Sequence, residues 1–320
     1  MSKDVAEKRL EEYDDVFVDI FNNLLFAGEE ILHEEDLTSL TTESYVRKSD
    51  GKVHQNNRDV RKADRENNVY RLVCGLENQS GRDNTMPERV MGYDYAAYEV
   101  QIKRMMQEND KSGKPAYAKR IHDNQKLAPV VTGVLYWGTD GWEGPRQLHD
   151  MIRFPKEKEE IIKPLVSNYS MNLIEVSKLP KEVRARMTSD FRLIAEYLAC
   201  KKDKKALKEL FADDTYKIKH PEEFLDVLSE VASDTRYKKM KEVLIKEEKG
   251  ELTMCIMVDE FMNRGREEGR EEGREEGREE GKLEAICLLV KKGLLKLEEA
   301  ATFLEVSVKE MQEKMCEINI

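Results

Sequence analysis

The sequence has few of the residues from which disulfide frameworks and zinc sites are built. Its 320 residues include five cysteines and five histidines, and the cysteines are far apart with no C-x-x-C spacing. No apolar run approaches the roughly 18 to 20 residues that a membrane-spanning helix needs. The first residues lead into an acidic segment rather than a signal-peptide core. We therefore expect reduced thiols, no membrane span and a cytoplasmic location.

Several common catalytic motifs are also missing from the sequence. It contains no P-loop, no dinucleotide-binding G-x-G-x-x-G, no G-x-S-x-G nucleophile elbow and no H-E-x-x-H. Nucleoside triphosphatases, dinucleotide enzymes, α/β-hydrolases and zinc proteases therefore lose their sequence support.

Charge argues against a protein that coats nucleic acid without specificity. The chain has 54 Lys and Arg against 65 Asp and Glu, a net charge of −11, whereas phosphate contacts need local positive charge. One basic stretch lies between residues 103 and 126, with seven Lys or Arg against three acids. Its candidate DNA contacts include Lys103, Arg104, Lys119 and Arg120. A solvated loop is the alternative interpretation.

Hydrophobic periodicity predicts an α/β core with few strands, followed by helices. Residues 36–58 are expected to be irregular. The predicted elements are one helix over 6–26, a strand over 69–79 joined to the preceding segment by a turn at Asn67 and Asn68, a helix from Pro87 to about 107, a buried strand over 129–137, a short strand over 170–176 and helices over 181–244.

The C-terminal part begins with a repeat. Gly265 to Gly281 repeats G-R-E-E four times, and each glycine costs a helix about 1 kcal/mol relative to alanine. We expect a semi-flexible helical linker, with close helix packing through the glycines as the alternative. Two short amphipathic helices over 283–295 and 297–315 should follow, the second of which has two helical halves joined at Val306 to Val308. Their apolar stripe suits a dimerising hairpin, although a helix-turn-helix explains the same positions.

The end of the strand over 69–79 carries the residues that are best suited to chemistry. Alternation places Glu77 and Gln79 on one face, and Asp59 lies on the preceding segment. Two such carboxylates can hold Mg²⁺, which prefers oxygen ligands and keeps several waters. The alternative is that both acids are ordinary charged strand ends.

Strand register decides whether the two acids can meet. A two-residue turn at Asn67 and Asn68 places Asp59 opposite Leu76, on the wrong face. A longer turn or one β-bulge places Asp59 opposite Glu77. The site therefore requires a bulge or a longer turn.

Taken together, these residues resemble a known family. They are, in chain order, Arg58-Asp59, Glu77-Asn78-Gln79-Ser80, Asp83, Met86-Pro87, Arg89, Tyr93, and Pro129-Val130-Val131 through Val134-Leu135-Tyr136-Trp137-Gly138. In order and spacing this string resembles the Rpn (YhgA-like) family of recombination-promoting nucleases, often described as transposases, in the PD-(D/E)XK superfamily. The resemblance covers about residues 5 to 200.

The resemblance implies a DNA endonuclease that depends on Mg²⁺ or Mn²⁺. It implies Asp59 and Glu77 as metal ligands, with Gln79 at the position where the superfamily usually has lysine. Glutamine can orient water but supplies no cation. Either Gln79 suffices with the metal, or a cation such as Lys62 or Arg89 takes the place of the lysine, or activity is weak. It also implies an acid on the first helix, for which Asp14 fits best because Leu10, Phe17 and Phe21 share its face, whereas Glu11 is expected on the exposed face with Asp15 and Asp19.

The helix after the strand should present a second pair of residues to the site. Arg89 and Tyr93 are four residues apart and therefore share a helix face. We predict that this face is directed at Glu77 and contacts either that carboxylate or DNA phosphate. An ordinary surface pair is the alternative.

The sequence thus predicts an α/β, restriction-endonuclease-like core with an all-helical C-terminal extension. The predicted divisions are a nuclease-like core over 1–175, a helical extension over 176–260, the repeat linker over 261–282 and a terminal helical hairpin over 283–320. The predicted function is metal-dependent cleavage of DNA in recombination or transposition-like processing, by a dimer joined through its C-terminal helices. The rival is a weak or inactive nuclease fold that binds DNA and oligomerises as a scaffold.

Overall fold

The computed structural model has a five-stranded mixed sheet flanked by helices, with a helical C-terminal part. The structure describes residues 3–40, 43–47, 53–57, 59–66, 69–110, 121–212, 215–238, 241 and 252–317. Arg58, the turn residues Asn67 and Asn68, and the candidate DNA contacts Lys119 and Arg120 lie outside these residues.

The secondary structure confirms most of the predicted order. The strands are β1 (Leu37–Ser39), β2 (Glu43–Arg47), β3 (Val53–Asn57), β4 (Val60–Glu66), β5 (Val69–Gln79), β6 (Val130–Tyr136), β7 (Asn172–Glu175), β8 (Lys217–Ile218) and β9 (Leu252–Thr253). The helices are α1 (Lys3–Glu11), α2 (Asp14–Ile20), α3 (Met86–Asp110), α4 (Glu159–Ile162), α5 (Lys181–Arg186), α6 (Phe191–Cys200), α7 (Lys204–Phe211), α8 (Pro221–Ala232), α9 (Met254–Lys291), α10 (Leu297–Phe303) and α11 (Val308–Glu317). A π-helical turn (Phe21–Leu25) follows α2.

The central sheet has the strand order β1-β4-β5-β6-β7. The pairs β1/β4 and β4/β5 are antiparallel, whereas β5/β6 and β6/β7 are parallel. The prediction of irregular structure over 36–58 is wrong, because β1 joins the sheet and β2 pairs with β3. These strands are short and polar, so they lack the apolar alternation by which a strand is recognised in sequence.

Helices cover both faces of the sheet. On one face, Met86 and Val90 of α3 pack with Val134 and Tyr136 of β6. On the other face, Gly133 lies close to the segment after α2, because a Cβ at this position would come within 3.0 Å of Leu25 Cδ1. The buried core therefore lies on both sides of β5 and β6, and it holds the end of β5 between α3 and the N-terminal helices.

The predicted single helix over 6–26 is broken in the structure. Helix α1 ends at Glu11, and α2 begins at Asp14 after an extended Tyr13 with φ −69° and ψ 136°. One helical wheel therefore does not describe both halves. The expectation that Asp14 points inward and Glu11 outward is wrong, because Glu11 is fully buried and the Asp14 side chain is 48% exposed.

The chain divides into two compact units, residues 1–256 and 257–320. The repeat is helical, as predicted, and lies within the continuous helix α9. A Cβ at Gly269, Gly273, Gly277 or Gly281 would meet nothing within 4 Å, so no close packing through these four glycines occurs in the described chain. In the second unit, Ile286, Ala300 and Met311 join α9, α10 and α11 in a small core. The two helical halves predicted within 297–315 are α10 and α11.

Candidate active site at the end of strand β5

A β-bulge places Asp59 and Glu77 opposite each other at adjacent strand ends. Val60 of β4 pairs with Leu76 of β5, so the next position along each strand holds Asp59 and Glu77. The register shifts between Asp64 and Arg65. The bulge that the sequence analysis required is therefore confirmed.

Asp59 is fixed to the neighbouring strand by a main-chain hydrogen bond. Its Oδ2 accepts a hydrogen bond of 2.7 Å from the backbone N–H of Asn78. Because Asn78 follows Glu77 directly, this bond holds the Asp59 carboxylate beside the strand that carries Glu77. A carboxylate held by a backbone donor is pre-positioned before any substrate arrives.

The buried carboxylate of Glu77 binds two side chains of α3. The Arg89 guanidinium donates to Glu77 Oε1, and the Tyr93 hydroxyl lies 3.3 Å from the same oxygen. Burial and the Glu77 charge raise the pKa of Tyr93 to about 12. Burial lowers the pKa of Arg89, but the charge of Glu77 and the contacts with Asp83 and Tyr93 together raise the pKa overall. The prediction that Arg89 and Tyr93 are directed at Glu77 is confirmed.

Arg89 also connects Glu77 to the loop before α3. Its Nη1 donates to Asp83 Oδ2 at 2.7 Å, and Asp83 accepts from Thr85 as well. Burial raises the pKa of Asp83, but the bonds from Thr85 and Arg89 lower it overall. The guanidinium therefore bridges two carboxylates.

Glu11 is the acid of the first helix that comes to this site. Its Oε2 accepts a hydrogen bond of 2.8 Å from Asn78 Nδ2. Burial raises its pKa well above the ordinary value, and the negative charges of Glu7, Asp59 and Glu77 add to the rise. The sequence analysis missed Glu11 because it treated α1 and α2 as one helix. In α1 alone, Glu7 and Glu11 lie beside the buried Ala6 and Leu10, which would have identified this face.

Similarity to a known family accords with this geometry. The model of a family described as "Putative transposase, YhgA-like" matches residues 29–219, more than half of the chain. The chain belongs to this YhgA-like transposase family. No curated protein and no solved structure shows significant similarity to it.

The family match covers only part of the site of this YhgA-like chain. Asp59, Glu77 and Arg89 lie within the matched residues, whereas Glu11 and the second unit lie outside them. The assignment of these residues to a site therefore rests on the structure and not on the match. No helix in the described part of the chain is long and apolar enough to cross a membrane.

Lys62 of the YhgA-like chain does not approach Glu77. Its Nζ donates to the carbonyl oxygen of Glu12 at 2.6 Å and to Asp14, and it lies 5.1 Å from the centre of the Phe17 ring. Alternation places Lys62 on the face of β4 opposite that of Asp59. Lys62 and the predicted acid Asp14 are thus joined to each other on the side of α2. Between Lys62 and Arg89, only Arg89 brings a cation to Glu77.

The other predicted residues lie at different distances from the site. Gln79 is the half-buried last residue of β5, on the same face as Glu77, and its carbonyl oxygen accepts from the Trp137 N–H at 2.9 Å. Lys103 and Arg104 lie near the other end of α3, roughly 20 Å from Arg89 at 1.5 Å per residue. They form surface pairs with Glu99 and Glu108.

The acids at this site suit a hard divalent cation. Asp59 and Glu77 offer two carboxylates, and the buried Oε1 of Glu11 has no hydrogen-bond partner among the described residues. In the described chain, no group of three or more His, Cys, Asp and Glu side chains has the arrangement of a metal site. In phosphate-transfer sites Mg²⁺ is bound by one or two carboxylates and takes its other ligands from water and substrate. Asp59 and Glu77 offer that number of carboxylates.

Proposed function

We propose that this YhgA-like chain is a Mg²⁺- or Mn²⁺-dependent DNA endonuclease that acts in the cytoplasm in recombination or transposition-like processing. The observation that carries the proposal is the pairing of Asp59 and Glu77 across the bulged β4–β5 hairpin. Membership of a transposase family supports a reaction on DNA phosphodiester bonds. The buried Glu11 and the bridging Arg89 add the charged groups that such a reaction uses.

Asp59 and Glu77 would hold the metal, which supplies an activated water and offsets phosphate charge. Gln79 lies two residues beyond Glu77 on the same face and can orient the attacking water by hydrogen bonds. Glu11 lies close enough to both acids for their charges to raise its pKa. A cation that enters the site would relieve the repulsion among these three carboxylates.

Arg89 would supply the positive charge that Gln79 lacks. Its Nη2 already contacts Glu77, and arginine N–H groups form charge-assisted hydrogen bonds with phosphate oxygens. The side chain is one-third exposed, so Nη2 can hold Glu77 while the second N–H of Nη1, whose first donates to Asp83, faces a DNA phosphate. Arg89 is then the group that stabilises the charge developing on the scissile phosphate.

Cleavage of supercoiled plasmid with Mg²⁺ or Mn²⁺ tests the proposed function. The wild-type chain should produce nicked plasmid, and chelation by EDTA should stop the reaction. Asp59→Ala and the isosteric Glu77→Gln should each lower the rate by at least about 100-fold, because each removes a carboxylate that would hold the ion. Thermal unfolding of Asp59→Ala should remain close to that of the wild type.

A control variant distinguishes the loss of a carboxylate at the site from the loss of a negative charge elsewhere on the surface. Asp140→Asn removes a carboxylate whose side chain is 91% exposed, and it should cleave like the wild type. Cleavage by Asp59→Ala at the wild-type rate would reject the assignment. DNA binding without cleavage by the wild-type chain with either metal would favour the scaffold function, which Gln79 and the net charge of −11 support.

We propose that the partner of the chain, besides DNA, is a second copy joined through residues 283–317. Leu289, Leu294 and Phe303 are exposed on this small unit, with 41%, 71% and 66% of their surface accessible. Identical apolar surfaces are self-complementary about a two-fold axis, and a dimer would bring two sites to one duplex. The full chain with Leu289→Glu and Leu294→Glu should be monomeric by light scattering and should yield less linear relative to nicked plasmid. An unchanged mass would exclude these helices as the dimer contact.

A further inference from the structure

Asn78 connects three parts of the candidate site that come from distant segments of the chain. Its backbone N–H donates to Asp59, its Nδ2 donates to Glu11, and its Oδ1 accepts from Trp137 Nε1 at 2.7 Å. Alternation along β5 directs its side chain away from the face of Glu77 and toward α1. The buried Asn78 thus contacts Asp59 through its main chain and Glu11 through its side chain.

Trp137 determines the orientation of the Asn78 amide. The indole N–H is only a donor, so the amide oxygen of Asn78 must face it. The NH₂ group must then face Glu11, which accepts through Oε2. The opposite orientation would place an amide oxygen against a carboxylate and an NH₂ group against an N–H.

Trp137 is itself held firmly in place. It is buried, and its ring packs edge-on against Phe191 of α6 with 5.6 Å between ring centres. Its backbone N–H donates to the carbonyl oxygen of Gln79. The indole therefore offers a fixed donor to Asn78. Trp137 donates a hydrogen bond to Asn78, and Asn78 in turn donates one to Glu11.

We propose that Asn78 is a positioning residue of the nuclease site, which holds Glu11 beside Asp59 and Glu77 through an amide that Trp137 orients. Asn78 touches no reacting atom and acts through Glu11. Its contact with Asp59 uses the main chain, so substitutions of its side chain remove the Glu11 contact and leave the Asp59 contact intact. The part of the inference that concerns catalysis rests on the proposed function, whereas the bonded chain from Trp137 to Glu11 does not.

Steady-state cleavage tests the catalytic part. Asn78→Leu should lower kcat by about 10- to 100-fold, as substitutions of groups that orient metal-site residues do, with KM for plasmid within about two-fold because no DNA contact is lost. Asn78→Asp keeps the volume and the acceptor for Trp137, but it sets a carboxylate against Glu11 and should lower kcat at least as much. Trp137→Phe should have a smaller effect of the same kind.

Thr132→Val provides the matched control. Thr132 is another buried polar residue of the sheet, and its hydroxyl bonds to Asp94 rather than to the site. This variant should lose stability while its folded fraction keeps the wild-type kcat. A kcat that is unchanged in folded Asn78→Leu and Asn78→Asp, or that falls equally in Thr132→Val, would overturn the positioning role.

An NMR measurement on the metal-free full chain is independent of cleavage. The chain has two tryptophans, so ¹⁵N labelling gives two indole cross-peaks, and Trp142→Phe assigns them. Glu11→Gln should move the Trp137 cross-peak and leave that of Trp142, whose indole bonds to the carbonyl oxygen of Pro145. If the wild type cleaves no DNA, the proposed function fails and this spectrum still decides on the bonded chain. A Trp137 cross-peak that neither Glu11→Gln nor Asn78→Leu moves would refute it.

Discussion

The two ends of helix α3 carry arginines of similar exposure in different surroundings. The side chains of Arg89 and Arg104 are 34% and 37% exposed, and each forms an ion pair with a glutamate. The glutamates differ far more, because the side chain of Glu77 is 4% exposed and that of Glu108 is 54% exposed. Arg104 also lies 5.1 Å from the centre of the Tyr70 ring.

The burial of the acid distinguishes the two pairs. Glu108 can exchange its arginine for water, so an i,i+4 surface pair of this kind contributes about 0.3 to 0.5 kcal/mol. Glu77 is buried, so loss of Arg89 would leave a desolvated charge without its cation. Similar residue types on one helix thus give a solvated pair at one end and a linked group of acids, tyrosine and arginine at the other.

The largest difference between the ends is expected for removal of each arginine. Arg89→Met should lower plasmid cleavage by about 100-fold, as loss of one preorganised donor to a developing charge does. It should also lower the free energy of unfolding by about 2 kcal/mol, less than the ~3 to 5 kcal/mol of fully buried pairs because Arg89 is partly solvated. Cleavage rates and urea denaturation measure the two effects.

Arg104→Met is the control for that substitution, and it should change stability by no more than about 0.5 kcal/mol. The double variant Arg89→Met with Glu77→Gln should recover stability, because the buried charge is gone, without recovering cleavage. Similar losses for Arg89→Met and Arg104→Met would remove the distinction between the two ends.

A smaller effect, on thermal stability, is expected from neutralising Glu11, which lies close to the carboxylates of Glu77 and Asp59. Burial raises the pKa of Glu11, so the folded chain binds this proton more tightly than the unfolded chain. The stability that Glu11 contributes is then present at low pH and is lost as pH rises from the unfolded value, about 4.3, through the raised pKa. Glu11→Gln should therefore raise Tm at pH 7 by about 2 to 4 °C, which corresponds to about 1 kcal/mol, and should have little effect near pH 4.

Asp14→Asn is the matched control in the first two helices. It takes the charged partner away from the buried Lys62, so Tm at pH 7 should fall. A fall for Glu11→Gln as well would show that the Glu11 carboxylate stabilises the metal-free fold. That result would contradict the crowding of acids at the site.

The sequence predicted the elements whose patterns are local and strong. Strand β5 and helix α3 have apolar spacing and a proline in the first helical turn, and the alignment of Asp59 with Glu77 followed from register once a bulge was allowed. The break at Tyr13 was not predictable, since neither Glu12 nor Tyr13 is a glycine or proline that marks a helix end. Glu11 was missed for this reason, because its burial depends on how α1 packs against the sheet.

The smallest effect is expected at the far end of α3, where Lys103 and Arg104 were predicted to contact DNA. Both form solvated pairs with acids of their own helix, and Arg104 also lies beside the Tyr70 ring. Solvated pairs of this kind compete weakly with phosphate. If both contact phosphate, Lys103→Ala with Arg104→Ala should weaken DNA binding several-fold and reduce the slope of log K against log salt by about 2, since each contact contributes about 0.9. The kcat at saturating DNA should not change, because these residues lie roughly 20 Å along the helix from Arg89. Fluorescence anisotropy at several salt concentrations measures the slope. An unchanged slope would exclude this end of α3 from the DNA interface, and Arg89 would then be the cation of this helix that faces DNA.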